Sequence, residues 1–167
     1  MRRFAAAALV LMAVVGVTAC EGRQAGEEER AAVTAAVRDY LKALADAYSG
    51  YDLSPLEGHA SPNEIEAVRV LIRGLVSSGD RLEATLLSLE ILELEIFREV
   101  NASVNALEVW DVRRLDAGSG EEIGHNPSSV QRSFIQLRKI DGEWVVVGRR
   151  VMERDPGDDP EAAAEPE

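Results

Sequence analysis

Few side chains in this sequence have the types and spacing that chemistry requires. The 167 residues include two histidines and one cysteine. His59 and His125 stand beside Gly58 and Gly124 in segments predicted as loops, where histidines are more often solvated than catalytic. The chain has no HExxH motif, paired cysteines, GxSxG elbow, P-loop or GxGxxG motif. We therefore expect neither a metal site nor a cofactor.

The start of the chain has the three parts of a secretory signal. Arg2 and Arg3 precede an apolar run that ends in small residues, and polar sequence follows at once. The stretch Val17-Thr18-Ala19-Cys20 resembles the bacterial lipobox. This resemblance implies removal of residues 1–19 and acylation of Cys20, which would anchor the chain to a bilayer of the cell envelope. The alternative is an ordinary signal peptide with a chance cysteine near its end.

Composition divides the rest of the chain. The net charge is −12, and removal of 1–19 changes it to −14, since that segment carries two arginines and no acid. Such acidity argues against nucleic acid as a partner. Residues 20–29 are polar and predict a flexible tether. Residues 155–167 lack large apolar side chains and predict a disordered acidic tail, which leaves 30–154 as one domain.

The apolar spacing predicts two helices before a sheet. One stripe recurs at three- and four-residue steps from about Glu28 to Tyr48. Ser61-Pro62-Asn63-Glu64 is typical of a capping box, and the helix that follows should end near Gly79. The stripe residues of the two helices are Val33, Val37, Tyr40, Leu41, Leu44 and Tyr48, and Ile65, Val68, Leu71, Ile72, Leu75 and Val76.

Alternating residues predict strands in the second half. Residues 80–98 are ambiguous between helix and strand, and we expect one or two helical turns followed by a strand with a bulge near Ile91. Val100 to Val112 alternates, 115–129 has the composition of a turn-rich loop, and Val130 to Ile140 alternates again. Asp141-Gly142 indicates a hairpin to a last strand. The order predicts an α+β fold with helices packed on a curved antiparallel sheet.

This order, with WDVRRLD at 110–116 and RSFIQLRKIDGEWVVVGRRV at 132–151, resembles the nuclear transport factor 2-like superfamily. The resemblance implies a cone-shaped domain over about 30–152, close to the intermembrane-space domains of mitochondrial import and plastid-division proteins. Enzymes of this superfamily place an Asp or His, often with a Tyr, inside the cone. The same cone also serves transport factors and inert scaffolds, so the resemblance does not choose a function.

Asp111 and His125 are the catalytic candidates under this resemblance. Asp111 follows Trp110 in a strand, so the two side chains point to opposite faces. If Trp110 faces the helices, Asp111 faces out and pairs with Arg113 or with another arginine across the sheet. An isomerase or dehydratase would instead need Asp111 or His125 to point into a deep pocket.

One sheet face predicts a binding surface. Alternation places Arg132, Phe134, Gln136 and Arg138 on one side of a strand, and we add Trp110 to this candidate set. Arginine beside an aromatic side chain suits an acidic partner. A solvated, salt-bridged face is the plainer interpretation. We expect a lipid-anchored, non-catalytic binding or scaffolding domain that docks a protein partner or a second copy of itself; an enzyme and a passive ligand carrier are the alternatives.

Overall fold

The computed structural model describes residues 26–154, in which two helices pack on one antiparallel sheet. The predicted leader, Cys20 and the predicted tail lie outside the described residues. The elements are α1 (Glu27–Gly50), a short 3-10 helix (Ser54–Leu56), α2 (Pro62–Ser78), β1 (Asp80–Phe97), β2 (Asn101–Asp116), β3 (Glu122–Ile140) and β4 (Glu143–Arg154). The strand order β1-β2-β3-β4 confirms the α+β prediction. None of the helices within 26–154 has the length and apolarity to cross a membrane.

Helix α1 supplies most of the helical half of the core. Its predicted stripe is buried from Val33 to Leu44, and Tyr48 packs against the same cluster. The helix begins at Glu27, inside the segment predicted as a tether. The reason is a side-chain contact, since the Glu29 carboxylate accepts hydrogen bonds from Lys139 and Trp144 in the sheet.

Helix α2 is only partly as predicted. Ser61 caps it by accepting a hydrogen bond from the Glu64 backbone at 3.3 Å, and Gly79 ends it in a left-handed conformation, with φ of 75°. The Glu64 side chain does not complete a capping box, because it bonds to Tyr40 of α1 instead. The predicted stripe is also wider than the buried one, since α2 buries Val68 and Ile72 but leaves Leu71 57% and Val76 55% exposed.

We expect replacement of the cap, Ser61→Ala, to lower the free energy of unfolding by about 1 kcal/mol, because a helix amide loses its acceptor. Chemical denaturation measures the change. Ser77→Ala is the matched control, since the Ser77 hydroxyl only donates to the Arg73 carbonyl on the exposed side of the same helix. Equal effects of the two substitutions would contradict a capping role for Ser61.

Strand β1 corrects the prediction of helical turns at its start. It is extended over its whole length and pairs with β2 from Asp80↔Asp116 to Phe97↔Asn101. Pairing along a full neighbouring strand overrides the helical preference of Leu and Glu. The predicted bulge is confirmed by a register shift between Ile91 and Glu93, and a second shift lies between Leu86 and Ser88.

Of the two connections predicted between the last three strands, the structure confirms one and corrects the other. Asp141 and Gly142 both have positive φ, 51° and 93°, as a tight two-residue turn requires. The loop predicted at 115–129 is much shorter, because β3 begins at Glu122. The Asp116 carboxylate accepts from the backbone amides of Gly118 and Ser119. That local turn lets the strands pair again at Leu115↔Glu122.

Candidate functional site

The interior between helices and sheet centres on a buried carboxylate, Glu108 of β2. Alternation along β2 points it inward with Ala102, Val104, Ala106 and Trp110. Its side chain is 0% exposed, and its main partner is Arg149 of β4, at 2.6 Å between Oε2 and Nη2. The Trp110 indole donates to it at 2.8 Å and the Gln131 amide at 2.9 Å, and the Ser133 hydroxyl donates to its other oxygen. We call this set the Glu108 network.

Charge pairing keeps the Glu108 network ionised. Burial opposes ionisation of Glu108, but the charge of Arg149 and the hydrogen bonds outweigh it, so the pKa of Glu108 lies below its ordinary value. Burial likewise disfavours the charged form of Arg149, yet the Glu108 carboxylate beside it raises the pKa of the guanidinium. The network therefore joins β2 and β4 through a permanent ion pair.

A second buried pair joins the helices. The Tyr40 hydroxyl of α1 donates to the Glu64 carboxylate of α2 at 2.5 Å, and the two residues are 1% and 7% exposed. Burial, followed by the negative charge of Glu64, raises the pKa of Tyr40 above its ordinary value. The phenol stays neutral and acts as a donor. Tyr40 is thus core, as its place in the helical stripe predicted.

These contacts close the centre of the cone. Glu108 and Ser133 are 0% exposed, so not even a water molecule touches their side chains. The surface of the described residues includes two grooves. One, of about 470 Å³, runs between α1 and β1 beside Arg30 and Leu94. The other, of about 460 Å³, is polar and includes Asp111.

The structure brings the two catalytic candidates together. His125 Nε2 lies 2.7 Å from Asp111 Oδ1, and each side chain is 33% exposed. His125 was predicted in a loop but lies in β3, and Asp111 pairs with it rather than with Arg113. Arg113 instead contacts Glu122 at 3.8 Å. The enzyme alternative requires one of these side chains to point into a deep pocket, and neither of them is enclosed.

The structure also gives the position of His59 and the arrangement of possible metal ligands. His59 lies in the turn before α2, where its backbone carbonyl accepts a hydrogen bond from Val146 of β4. Between residues 26 and 154, no three His, Cys, Asp or Glu side chains form a group that could hold a metal ion.

The predicted binding residues fall on two faces. Arg132, Gln136 and Arg138 are exposed and Phe134 is half-buried, whereas the alternating residues Ser133, Ile135 and Leu137 are buried. The first four form the outer sheet face, opposite the helices, next to Asn101, Ser103 and Asn105 of β2. Trp110 does not belong to it, because its side chain is 5% exposed and lies on the inner face with Glu108.

Sequence reasoning missed the Glu108 network. The signal was present, because Glu108 occupies the same phase as Val104, Ala106 and Trp110 in a clearly alternating strand. A charged residue in a buried phase needs a buried partner of opposite charge. The sequence did not show which of the arginines on β3 and β4 would be that partner, since the choice depends on the register and on the shift between Gln136 and Leu137.

Comparisons with known proteins bear on the fold. No family model matches the chain, and no curated protein matches it either. Among solved structures, the intermembrane space region of the chloroplast protein ARC6 has a TM-score of 0.62 and 14% identity, over 72% of this chain and 95% of that one. A ketosteroid isomerase-like protein from Erwinia carotovora atroseptica has a TM-score of 0.52 and 15% identity, over 77% and 99%.

A third similar structure is a hexachlorocyclohexane dehydrochlorinase, LinA type 2, with a TM-score of 0.52 and 10% identity, over 77% of this chain and 91% of that one. At such identities these likenesses show the fold alone. They confirm the α+β cone that the sequence resemblance implied, and they include proteins with different roles.

Proposed function

We propose that this α+β cone is a lipid-anchored binding domain of the bacterial envelope, which docks an acidic protein partner on its outer sheet face. The observation that carries the proposal is the Glu108 network. Where an enzyme of this fold would need an open site with a free acid or base, this chain has an ion pair whose carboxylate, Glu108, is 0% exposed and whose Arg149 side chain is 12% exposed.

The chemistry of the network argues against catalysis. A general base needs a free lone pair within hydrogen-bond reach of its substrate, at a pKa near the working pH. Both oxygens of Glu108 already accept hydrogen bonds, its pKa is lowered and its side chain is not accessible. Structural similarity to the isomerase-like protein and the dehydrochlorinase therefore does not imply that this chain has their activities.

The outer sheet face has the chemistry of a docking surface. Arg138 is exposed, and on the adjacent strand so is Arg150, which pairs with Phe134 in the register. Neither arginine forms an ion pair with any residue in the described part of the chain. Arginine and aromatic side chains are enriched where proteins meet, and positive charge selects acidic partners. In a chain of net charge −12, the β3–β4 part of this face is a local exception. Glu93 and Glu95 of β1 are exposed on the same face, on the far side of β2.

Anchoring supplies the place where docking occurs. The lipobox-like stretch before Cys20 supports a lipid on that sulfur, and two or more acyl chains hold a protein stably to a bilayer. The polar segment after Cys20 would then keep the cone within a short distance of the membrane. An anchored partner would meet the outer sheet face at a raised effective concentration.

A photo-crosslinking amino acid at Gln136 tests the proposal in cells. We expect one adduct of defined mass on ultraviolet irradiation, and we expect Arg132→Glu with Arg138→Glu to reduce its yield roughly tenfold or more, as charge reversal at an interface does. Mass spectrometry of the adduct shows whether the partner is another protein or a second copy of this chain.

Two matched controls accompany the crosslinking. The same amino acid at Leu71, exposed on α2, should not form the adduct. Arg69→Glu with Arg73→Glu changes the net charge by the same amount as the sheet-face reversal, but on α2. It should leave the Gln136 adduct intact. An absent adduct at Gln136, or one that is insensitive to the sheet-face reversal, would refute docking on the outer sheet face.

A further inference from the structure

Three exposed apolar side chains gather at one end of the sheet. Phe97, Val100 and Ile140 are 49%, 45% and 40% exposed, and we call them the apolar tip. Phe97 and Val100 belong to the β1–β2 turn and Ile140 to the β3–β4 turn. The Lys139 amide donates to the Val100 carbonyl at 2.8 Å and ties the two turns together. Because neighbouring strands lie about 4.8 Å apart, the tip spans roughly 10 Å.

The polypeptide enters the domain at this same end. Glu29, in the first turn of α1, accepts hydrogen bonds of 2.8 Å from Lys139 and from the Trp144 indole, which flank the β3–β4 turn. Only the six residues 21–26 separate Cys20 from Glu27 at the start of α1, which makes seven Cα-to-Cα steps. Fully extended, they span at most about 25 Å.

We propose that the apolar tip contacts the bilayer in which Cys20 is anchored. This inference rests on the proposed lipid anchor. A short tether attached at one end of the cone brings that end to the membrane, and the tip is the apolar surface found there. Three partly exposed side chains bind a bilayer too weakly for a free protein, but tethering makes the contact intramolecular.

The charges at this end indicate which lipid surface suits it. Arg98, Arg138 and Lys139 lie near the tip, but Glu99, Asp141 and Glu143 stand in the same turns, and Glu27, Glu28 and Glu29 begin α1. The acidic groups outnumber the basic ones. Apolar contact, rather than attraction to anionic headgroups, must therefore hold the tip at the surface, and anionic lipid should oppose it.

This contact would orient the domain. The strands run away from the tip, so successive residues of β3 from Arg138 back to Arg132 step away from the membrane by about 20 Å in all. The outer sheet face would then stand upright beside the bilayer, open to a partner in the aqueous phase.

Lipid-borne quenching of a fluorophore tests the inference on the full acylated chain. The protein is reconstituted into phosphatidylcholine vesicles with an environment-sensitive fluorophore at Ile140→Cys, the Cys20 thiol being blocked by its lipid. Leu71→Cys is the matched control, because Leu71 is an apolar side chain 57% exposed on α2. We expect nitroxide lipids to quench position 140 at least roughly twofold more than position 71. Equal quenching would overturn the inference.

A second variant isolates the apolar side chains. With the fluorophore at Glu143→Cys, the triple replacement Phe97→Ser, Val100→Ser and Ile140→Ser should abolish quenching, as should vesicles enriched in phosphatidylglycerol. Undiminished quenching in the triple variant would show that the tether alone places this end at the membrane and would refute the tip contact. The intact mass separates the two proposals: a chain without lipid on Cys20 refutes the anchor, whereas an acylated chain with equal quenching refutes only the tip contact.

Discussion

Replacing Val17-Thr18-Ala19-Cys20 by the cleavage site of an ordinary secretory leader, so that the leader is still removed, should move the protein almost completely from the membrane fraction to the soluble fraction. A diacylglycerol on the sulfur, with or without a further acyl chain on the amine, buries many methylene groups at about 0.8 kcal/mol each, whereas the apolar tip alone adds little. Fractionation of cells followed by a high-salt wash measures the change.

Glu21→Gln is the control for this experiment, because it alters the residue after Cys20 and leaves the lipobox-like stretch intact. It should remain in the membrane fraction. A protein with the replaced cleavage site and a removed leader that stayed there through the wash would contradict the lipid anchor and would mean that another feature holds the chain to the envelope.

Breaking the ion pair in the core should have the largest effect on stability. We expect Glu108→Gln to lower the free energy of unfolding by about 3–5 kcal/mol, because it leaves the Arg149 charge buried without a counter-charge. The double variant Glu108→Gln with Arg149→Gln removes both charges. It should cost less than the sum of the single variants by about 2–3 kcal/mol. Chemical denaturation of the chain from residue 20, made soluble by Cys20→Ser, measures all of these.

An exposed ion pair provides the control for that cycle. Glu122→Gln removes the partner of Arg113 at 3.8 Å, where both side chains are about half exposed, and should cost less than about 1 kcal/mol. Equal losses for Glu108→Gln and Glu122→Gln, or strictly additive losses in the cycle, would contradict a buried, coupled pair.

The acid dependence of stability follows from the same group. Because the pKa of Glu108 is lowered in the folded state, its contribution is fully present above the unfolded-state pKa of about 4.3. It is lost as the pH falls through the folded-state pKa. The stability of the wild type should therefore decline more steeply below about pH 4 than that of Glu108→Gln. Parallel declines would show that Glu108 does not carry this dependence.

The parts of the fold that could be predicted are those with a local physical cause. The stripe of α1, the cap at Ser61, the bulge after Ile91 and the Asp141-Gly142 turn each depend on a few neighbouring residues. The prediction of helical turns at the start of β1 is wrong, because pairing with a partner strand outweighs the helical preference of its own residues. Residues 122–129 were mistaken for loop for the same reason, since the partner strand β2 is distant in sequence.

The candidate site was harder to predict because it depends on register. The sequence predicts Asp111 and His125 as two separate candidates, and only the strand pairing brings them within 2.7 Å of each other. The Glu108 network joins residues of three strands, and no spacing within one segment reveals it. Residue type predicts Trp110 for a binding surface, whereas its indole is one of the donors that hold Glu108.

The inside and the outside of the cone have separate proposed tasks. The interior carries charge, but that charge is used to hold β2 to β4. The outer sheet face, the apolar tip and the acylated Cys20 are the surfaces proposed to act on other molecules. Function should therefore survive changes to the interior that leave the domain folded.

The most direct test of this division is crosslinking from Gln136 in the Glu108→Gln and Arg149→Gln double variant, at a temperature where circular dichroism shows the domain folded. The account predicts the same adduct at the same yield as in the wild type. Loss of the adduct from the folded double variant would contradict the account, because it would mean that the buried pair takes part in function.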